Sequence, residues 1–171
     1  MGDVIRDIIL GGQDGLVNVL GLALGVAVAT QTTQMVLVSG LVGTFAESIS
    51  MAAVAYTGFK AAKDVNRSAR GRVRKFMLKE YGHPVHSAVL VGLASLIGSL
   101  IPLIPFFFMP VQQAMYGSAG LCAVILFILG SYEGKLAKRD TTRAGVELLI
   151  IGMLAALAGF VIGLVIKNIF I

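Results

Sequence analysis

The sequence predicts an all-α, polytopic membrane protein with five transmembrane helices, and three observations predict it. Of its 171 residues 57% are hydrophobic and 13% charged, with a mean hydropathy of +0.88. Such a chain has too little polar surface to face water on all sides. Apolar runs recur at about 7–29, 34–59, 86–108, 111–131 and 145–170, and each is long enough to cross a hydrocarbon core of about 30 Å at about 1.5 Å per helical residue. Lys and Arg, finally, fall almost entirely in alternate connections between those runs.

The first run carries Asp7 and Asp14 and no clear cleavage site, so it does not read as a secretory signal. Position 6 is Arg6, which excludes the myristoylation pattern after Gly2. A short uncharged connection, Gln31-Thr32-Thr33-Gln34, pairs the first two helices as an antiparallel hairpin. The second connection, 60–85, is strongly basic. Within it Ala62, Val65, Ala69, Val73 and Phe76 recur at helical spacing, which predicts a surface helix weakened by Gly71 and resting on anionic lipid headgroups.

The third run holds Pro102 and Pro105 in its last turns, and Pro110 opens the fourth. An interior proline costs a helix about 3 kcal/mol, so these residues are expected to end the helix near the surface. Cys122 in the fourth run is the single cysteine, which rules out an intramolecular disulfide and leaves the thiol a packing role. In the fifth run Gly145, Gly152, Gly159 and Gly163 offer close packing, within one protomer or between two. The odd helix count excludes an inverted repeat over the whole chain.

Charge orients the bundle. Thirteen of the fourteen basic residues lie before the first helix or in the second and fourth connections, and Lys167 alone lies opposite. By the positive-inside rule the N-terminus is cytoplasmic and the C-terminus is on the other side. The same rule accounts for RSARGRVRK in the second connection, so nucleic-acid binding is not expected. No phosphate-binding Gly-Lys loop, Ser–His pair with an orienting acid or Cys–His zinc spacing occurs, and no enzyme activity is expected.

Asp14 stands inside an otherwise apolar stretch, GGQDGLVNVLGLALGVAVAT. One acid near a helix centre costs roughly 2.5–3.5 kcal/mol, and such residues face a protein interior or an aqueous path. Asp7, Gly11, Asp14, Asn18, Gly21 and Gly25 form one stripe of small and polar residues on the first helix. Gly40, Thr44, Glu47, Met51, Val54 and Gly58 form a matching stripe on the second. The glycines read as packing seams.

The carboxylates ask for more. Counted from the hairpin turn, Asp14 and Glu47 differ in height by only about 3 Å, and Met51 lies about 3 Å beyond Asp14. Two neighbouring acids without a basic partner at that depth require a proton or a cation between them. Carboxylate oxygens attract divalent ions generally, and a thioether favours softer transition metals. Asp14, Glu47 and Met51 are thus candidate metal ligands, with Asn18 adjusting the site by hydrogen bonding. The residues alone leave three functions open: proton-coupled transport, a passive cation or proton channel, and a non-transporting scaffold.

These residues also carry a resemblance. QDGLVNVLGLALGVA in the first helix, with AESISMAAVAY and KAAKD in the second, resembles the vacuolar iron transporter family. The resemblance implies a homodimer of five-helix protomers that exports Fe2+ or Mn2+ from the cytosol in exchange for protons, along a path between protomers. The ion is substrate, and no resident cofactor is implied. The membrane is the cell membrane in a prokaryote, or a vacuolar or other organelle membrane in a eukaryote. Asp14 matches the first-helix aspartate of the family and Met51 its second-helix methionine. Glu47 departs from the pattern, because the family's second-helix acid falls at positions occupied here by Gly43 or Ala55.

A second departure lies in the second connection. Relatives with a cytosolic metal-binding domain carry several glutamates there, whereas this chain has Asp64 and Glu80 among eight basic residues. It therefore reads as a short form without that domain. His83 and His86 flank the start of the third helix and read as interfacial hydrogen-bonding residues rather than ligands. Glu133, Asp140 and Glu147 read as solvated partners of Lys135, Lys138, Arg139 and Arg143, with ion guidance as the sharper alternative.

Overall fold

The computed structural model describes residues 2–68 and 84–170, which are helical almost throughout and contain no strand. Helix α1 (Gly2–Thr30) turns tightly into α2 (Thr33–Ser68). α3 (Pro84–Leu100) passes through a 3-10 turn (Ile101–Leu103) into the short α4 (Ile104–Phe108). Helices α5 (Val111–Leu136) and α6 (Thr141–Phe170) complete the bundle. Five stretches are long and apolar enough to cross a membrane: Ile5–Thr30, Thr33–Ala62, Pro84–Phe108, Val111–Leu136 and Thr141–Phe170. Together they make the chain a multi-pass membrane protein.

Helix α1 is the axis of the bundle and packs against α2, α3, α5 and α6. Its leucines Leu16, Leu20 and Leu24 meet Cys122 and Leu126 of α5 and Leu148 and Ala156 of α6 in one core. On another side Val19, Ala23 and Ala27 meet Val36, Leu103, Phe106 and Ala114 in a second. An ordinary amphipathic helix has one apolar stripe, whereas a central helix in lipid must satisfy several neighbours at once. The outer helices α2 and α6 instead present Val42, Phe45, Ile49, Ile150, Leu154 and Ile162 outward, all at least half exposed. Lipid chains, rather than water, are the solvent such side chains require.

Glycine sets the crossings. Gly11 and Gly15 lie on the backbone of Val91 and Ser95, and Gly98 lies on Gly12, so α1 and α3 touch backbone to backbone. Further along, Gly21 and Gly25 meet Gly159 and Gly163 of α6; a Cβ on Gly25 would sit 2.8 Å from the Gly159 carbonyl oxygen. The glycine stripe of α1 is therefore divided between two partners. Gly145 and Gly152 pack against Phe127 and Leu126 of α5, so all four glycines of the last helix are used inside the protomer.

The third span ends at Phe108, as its apolar run predicts, but its first α-helix stops at Leu100, ahead of the prolines. Pro102 and Pro105 each occupy the first turn of a new short helix, where no amide donor is needed, so the chain continues to Phe108. Ser118 of α5 donates a buried hydrogen bond of 2.7 Å to the Pro102 carbonyl, satisfying an acceptor where the helical ladder is interrupted. Helix α2 likewise runs past the expected boundary at 59, so the described part of the proposed surface helix is its continuation. The rest of the proposed surface helix, with Gly71 and Glu80, lies outside the described residues, as does His83. His86 is exposed.

At the α5–α6 corner Asp140 caps α6, accepting the Arg143 backbone N–H at 3.0 Å. Arg139 pairs with Glu147 at 3.1 Å, with both side chains more than half exposed. Solvated pairing, as expected, therefore holds for Glu147, while Asp140 serves chiefly as an N-cap.

Candidate ion site

The site forms where α1, α2 and α3 meet. Asp14 and Asn18 project from one face of α1, one turn apart, and Glu47 projects from α2. The Asn18 side-chain amide donates to Glu47 Oε1 at 2.7 Å. Asp14, one turn before Asn18 on the same face, is thereby a neighbour of Glu47 across the α1–α2 contact. On the other side Ser99 of α3 donates to Glu47 Oε2 at 3.5 Å, a long contact. Thr44, buried one turn before Glu47, points its hydroxyl at the Ser99 carbonyl, also at 3.5 Å. Glu47 is thus reached from three directions: an amide, a hydroxyl and a second acid.

Local packing explains why an Asp-Gly pair stands here. A Cβ at position 15 would collide with the Ser99 hydroxyl and the Ser95 carbonyl. Gly15 therefore lets α3 come close enough for Ser99 to reach Glu47. The helix pitch then turns Asp14, the preceding residue, toward α2.

Burial is uneven across the cluster. Asp14 and Glu47 are half-buried, and Asn18 is exposed on the outside of the protomer. An exposed amide and two partly exposed acids in mid-helix are costly against hydrocarbon. Among the described residues no three His, Cys, Asp or Glu side chains converge on one point. One protomer therefore offers two carboxylates, supplemented by amide and hydroxyl oxygens.

Met51 follows Glu47 by one turn and is half-buried. It lines a cavity of about 220 Å³ with Asp7, Leu10, Val54 and Val91, toward the N-terminal end of the bundle. The structure thus joins Asp14, Glu47 and Asn18 directly and sets Met51 one turn along, facing a cavity of its own. The sequence reading overlooked Ser99. Its signal was present, since Ser87, Ser95 and Ser99 recur at helical spacing along one buried face of α3.

A separate cavity of about 200 Å³, lined by Gln13, Glu133, Arg139 and Glu147, lies between α1, α5 and α6. It holds Glu133 and Glu147, two of the three acids read from the sequence as solvated, apart from the Asp14–Glu47 cluster.

The sequence model of the VIT family matches residues 5–80 and 74–164, nearly the whole chain. The chain belongs to the VIT family. The two matched segments meet at residues 74–80, within the second connection. Among the relatives, an uncharacterized protein of Methanocaldococcus jannaschii is 28% identical, covering 92% of this chain and 87% of its own length. Vacuolar iron transporter 1 of Tulipa gesneriana is 25% identical over 219 aligned residues, covering 98% of this chain and 89% of its own. Vacuolar iron transporter 1 of Oryza sativa is 26% identical, covering 93% and 84%. The tulip alignment is longer than this whole chain of 171 residues, as expected of a short form of the family.

Proposed function

We propose that this protein moves Fe2+ or Mn2+ out of the cytosol in exchange for protons, with Asp14 and Glu47 as the ligands that alternate between metal and proton. Membership of the VIT family, and the relatives named as vacuolar iron transporters, support metal-ion transport. One observation carries the finer reading: Asn18 donates to Glu47 at 2.7 Å one helical turn from Asp14, which brings two acids into one neighbourhood inside a spanning bundle. Two neighbouring anions repel unless a proton or a cation lies between them. A site that must hold one or the other is an exchange site.

Met51, one turn along α2, supplies the soft donor that favours Fe2+ or Mn2+ over Mg2+ and Ca2+. Asn18 orients Glu47 and shares its negative charge without adding to it. The exposure of Asn18 supports a homodimer. A second protomer bringing the same face would shield these polar groups and add a second pair of carboxylates. Arg6 and the α5–α6 corner share one end of the bundle, and Lys167 shares the other with Gln31. The basic end is then cytoplasmic, with the second connection resting on anionic headgroups.

Reconstitution into proteoliposomes tests the reading. An imposed pH gradient should drive Mn2+ or Fe2+ uphill, and the flux should carry protons the opposite way. Dissipation without coupling would mean a passive channel, and no flux at all a scaffold. Cysteines placed at Thr33 and Lys138 should label from opposite sides, with Lys138→Cys reacting from the cytoplasm.

A further inference from the structure

Lys167 stands apart from every other charge in the chain. The segments 15–46, 81–132 and 148–171 contain no Asp or Glu, and Lys167 is their only Lys or Arg. It occupies the last turn of α6, is exposed, and has no ion-pair partner among the described residues. An ammonium at the edge of hydrocarbon is costly without an anion, and no acidic side chain is available at this end.

Lys167 borders a cavity of about 330 Å³ where the end of α1, the start of α5 and the end of α6 converge. Gln31, Gln112 and Tyr116 are its other polar lining, and Phe160 and Leu164 form an apolar wall. An ammonium, two carboxamides and a phenol can all donate hydrogen bonds, and no carboxylate stands among them. Gln31 uses one donor on the Val28 carbonyl at 3.2 Å. Among the described residues Gln112, Tyr116 and Lys167 make no side-chain hydrogen bond.

The cavity opens onto an apolar seam. One turn past Tyr116 on α5, a Cβ at Gly120 would meet nothing within 4 Å. On α6, Leu157 precedes Phe160 by about one turn and is more than half exposed. Donors at the membrane edge above an open apolar seam fit a phosphate head that carries an acyl chain. A choline or ethanolamine amine would find no carboxylate here. Charge complementarity therefore selects a headgroup with net negative charge whose remaining groups are hydroxyls.

We propose that this cavity binds one anionic phospholipid of the phosphatidylglycerol class, in the leaflet opposite the basic connections. Its phosphodiester rests on Lys167, and its glycerol hydroxyls lie among Gln31, Gln112 and Tyr116. One acyl chain follows the seam past Gly120 and Leu157. The lipid ties together the ends of α1, α5 and α6. The site shares no residue with Asp14, Glu47 or Met51 and stands independently of the transport reading.

The chain has no tryptophan, so Tyr116→Trp, at a side chain 83% exposed, places a single fluorophore at the cavity. The full-length variant is reconstituted in phosphatidylcholine vesicles with rising amounts of brominated phosphatidylglycerol or, separately, brominated phosphatidylcholine. Half-maximal quenching is expected at a mole fraction about fivefold lower for phosphatidylglycerol, the preference that one lysine gives an anionic lipid. Adding Lys167→Gln should remove that difference, and Lys167→Arg should keep it. Equal quenching by the two lipids, or a preference that survives Lys167→Gln, would overturn the proposal.

Tyr132→Trp, near the other end of α5, reports on the bundle itself. Its quenching should not respond to Lys167→Gln; a change there would make Lys167 a structural residue and overturn the lipid site. Two further results at Tyr116→Trp would do the same. Relief of quenching by inorganic phosphate would give the cavity to a free anion. A fluorophore that neither lipid quenches would mean that a second copy of the chain covers it.

Discussion

Asn18 on α1 holds Glu47 on α2 through a 2.7 Å hydrogen bond that joins positions twenty-nine residues apart. This contact defines the surroundings of Glu47, the acid that departs from the family pattern. One turn before Met51, the acid is reached at once by Asn18, Asp14 and Ser99. A carboxylate shifted along α2 can thus serve a site built around Asp14, because α1 and α3 supply the groups that aim it.

Asp14→Asn keeps the shape of the site and removes a charge the metal needs. Metal/proton exchange should largely fail, while the yield of folded protein stays the same or rises, since a partly buried anion is relieved. Glu47→Gln should behave alike. Flux in proteoliposomes, set beside the melting temperature in detergent, checks both; full exchange by Asp14→Asn would remove the centre of the reading.

Asn18→Ala leaves Glu47 with its long contact to Ser99 and its acidic neighbour. Hydrogen bonds to charged groups contribute about 1.5–3 kcal/mol when enclosed, and less at this exposed position. A three- to tenfold rise in half-saturating Mn2+ is expected, with transport retained. Complete loss would make Asn18 a ligand in its own right.

Met51→Leu nearly conserves volume but removes the thioether. Folding should be unchanged, and the preference for Mn2+ or Fe2+ over Mg2+ should fall several-fold in competition assays. An unchanged preference would place selectivity in the carboxylates alone.

The glycine crossings should respond in order of contact. Gly98→Val and Gly159→Val place side chains against the backbones of Gly12 and Gly21 and should prevent stable folding. Gly58→Ala and Gly120→Ala meet nothing within 4 Å, so their melting temperatures should match the parent within a degree or two. Gly15→Ala is the informative intermediate. It should push Ser99 from Glu47 and weaken ion binding more than stability.

Asp140→Ala removes the cap that accepts the Arg143 amide and should cost about 1 kcal/mol. Arg139→Ala breaks an exposed pair and should cost less than that. Thermal unfolding of the two variants ranks them, and a larger loss from Arg139→Ala would give its pair a structural role.

The sequence by itself determined the class of protein, its five spans, the segregation of its charges and the similar depth of Asp14 and Glu47. Hydropathy and pitch are local properties: a carboxylate in an apolar run, and its height from a tight hairpin, follow from counting residues. Tertiary structure decided which face meets which partner. Stripe periodicity places Asp7, Asp14, Asn18 and Gly21 on one side of α1, but α2, α3 and α6 divide that side by their crossings. Ser99 reaches Glu47 only because Gly15 lets α3 approach, a relation between residues far apart in sequence. The Pro102–Pro105 break persists as helix because a short 3-10 turn re-starts it and Ser118 takes up the freed carbonyl. Asp7 reads as one member of the polar stripe and Arg6 as one of the orienting cations, and only packing buries the first and leaves the second half outside. Burial is a property of neighbours, and neighbours are chosen by the fold.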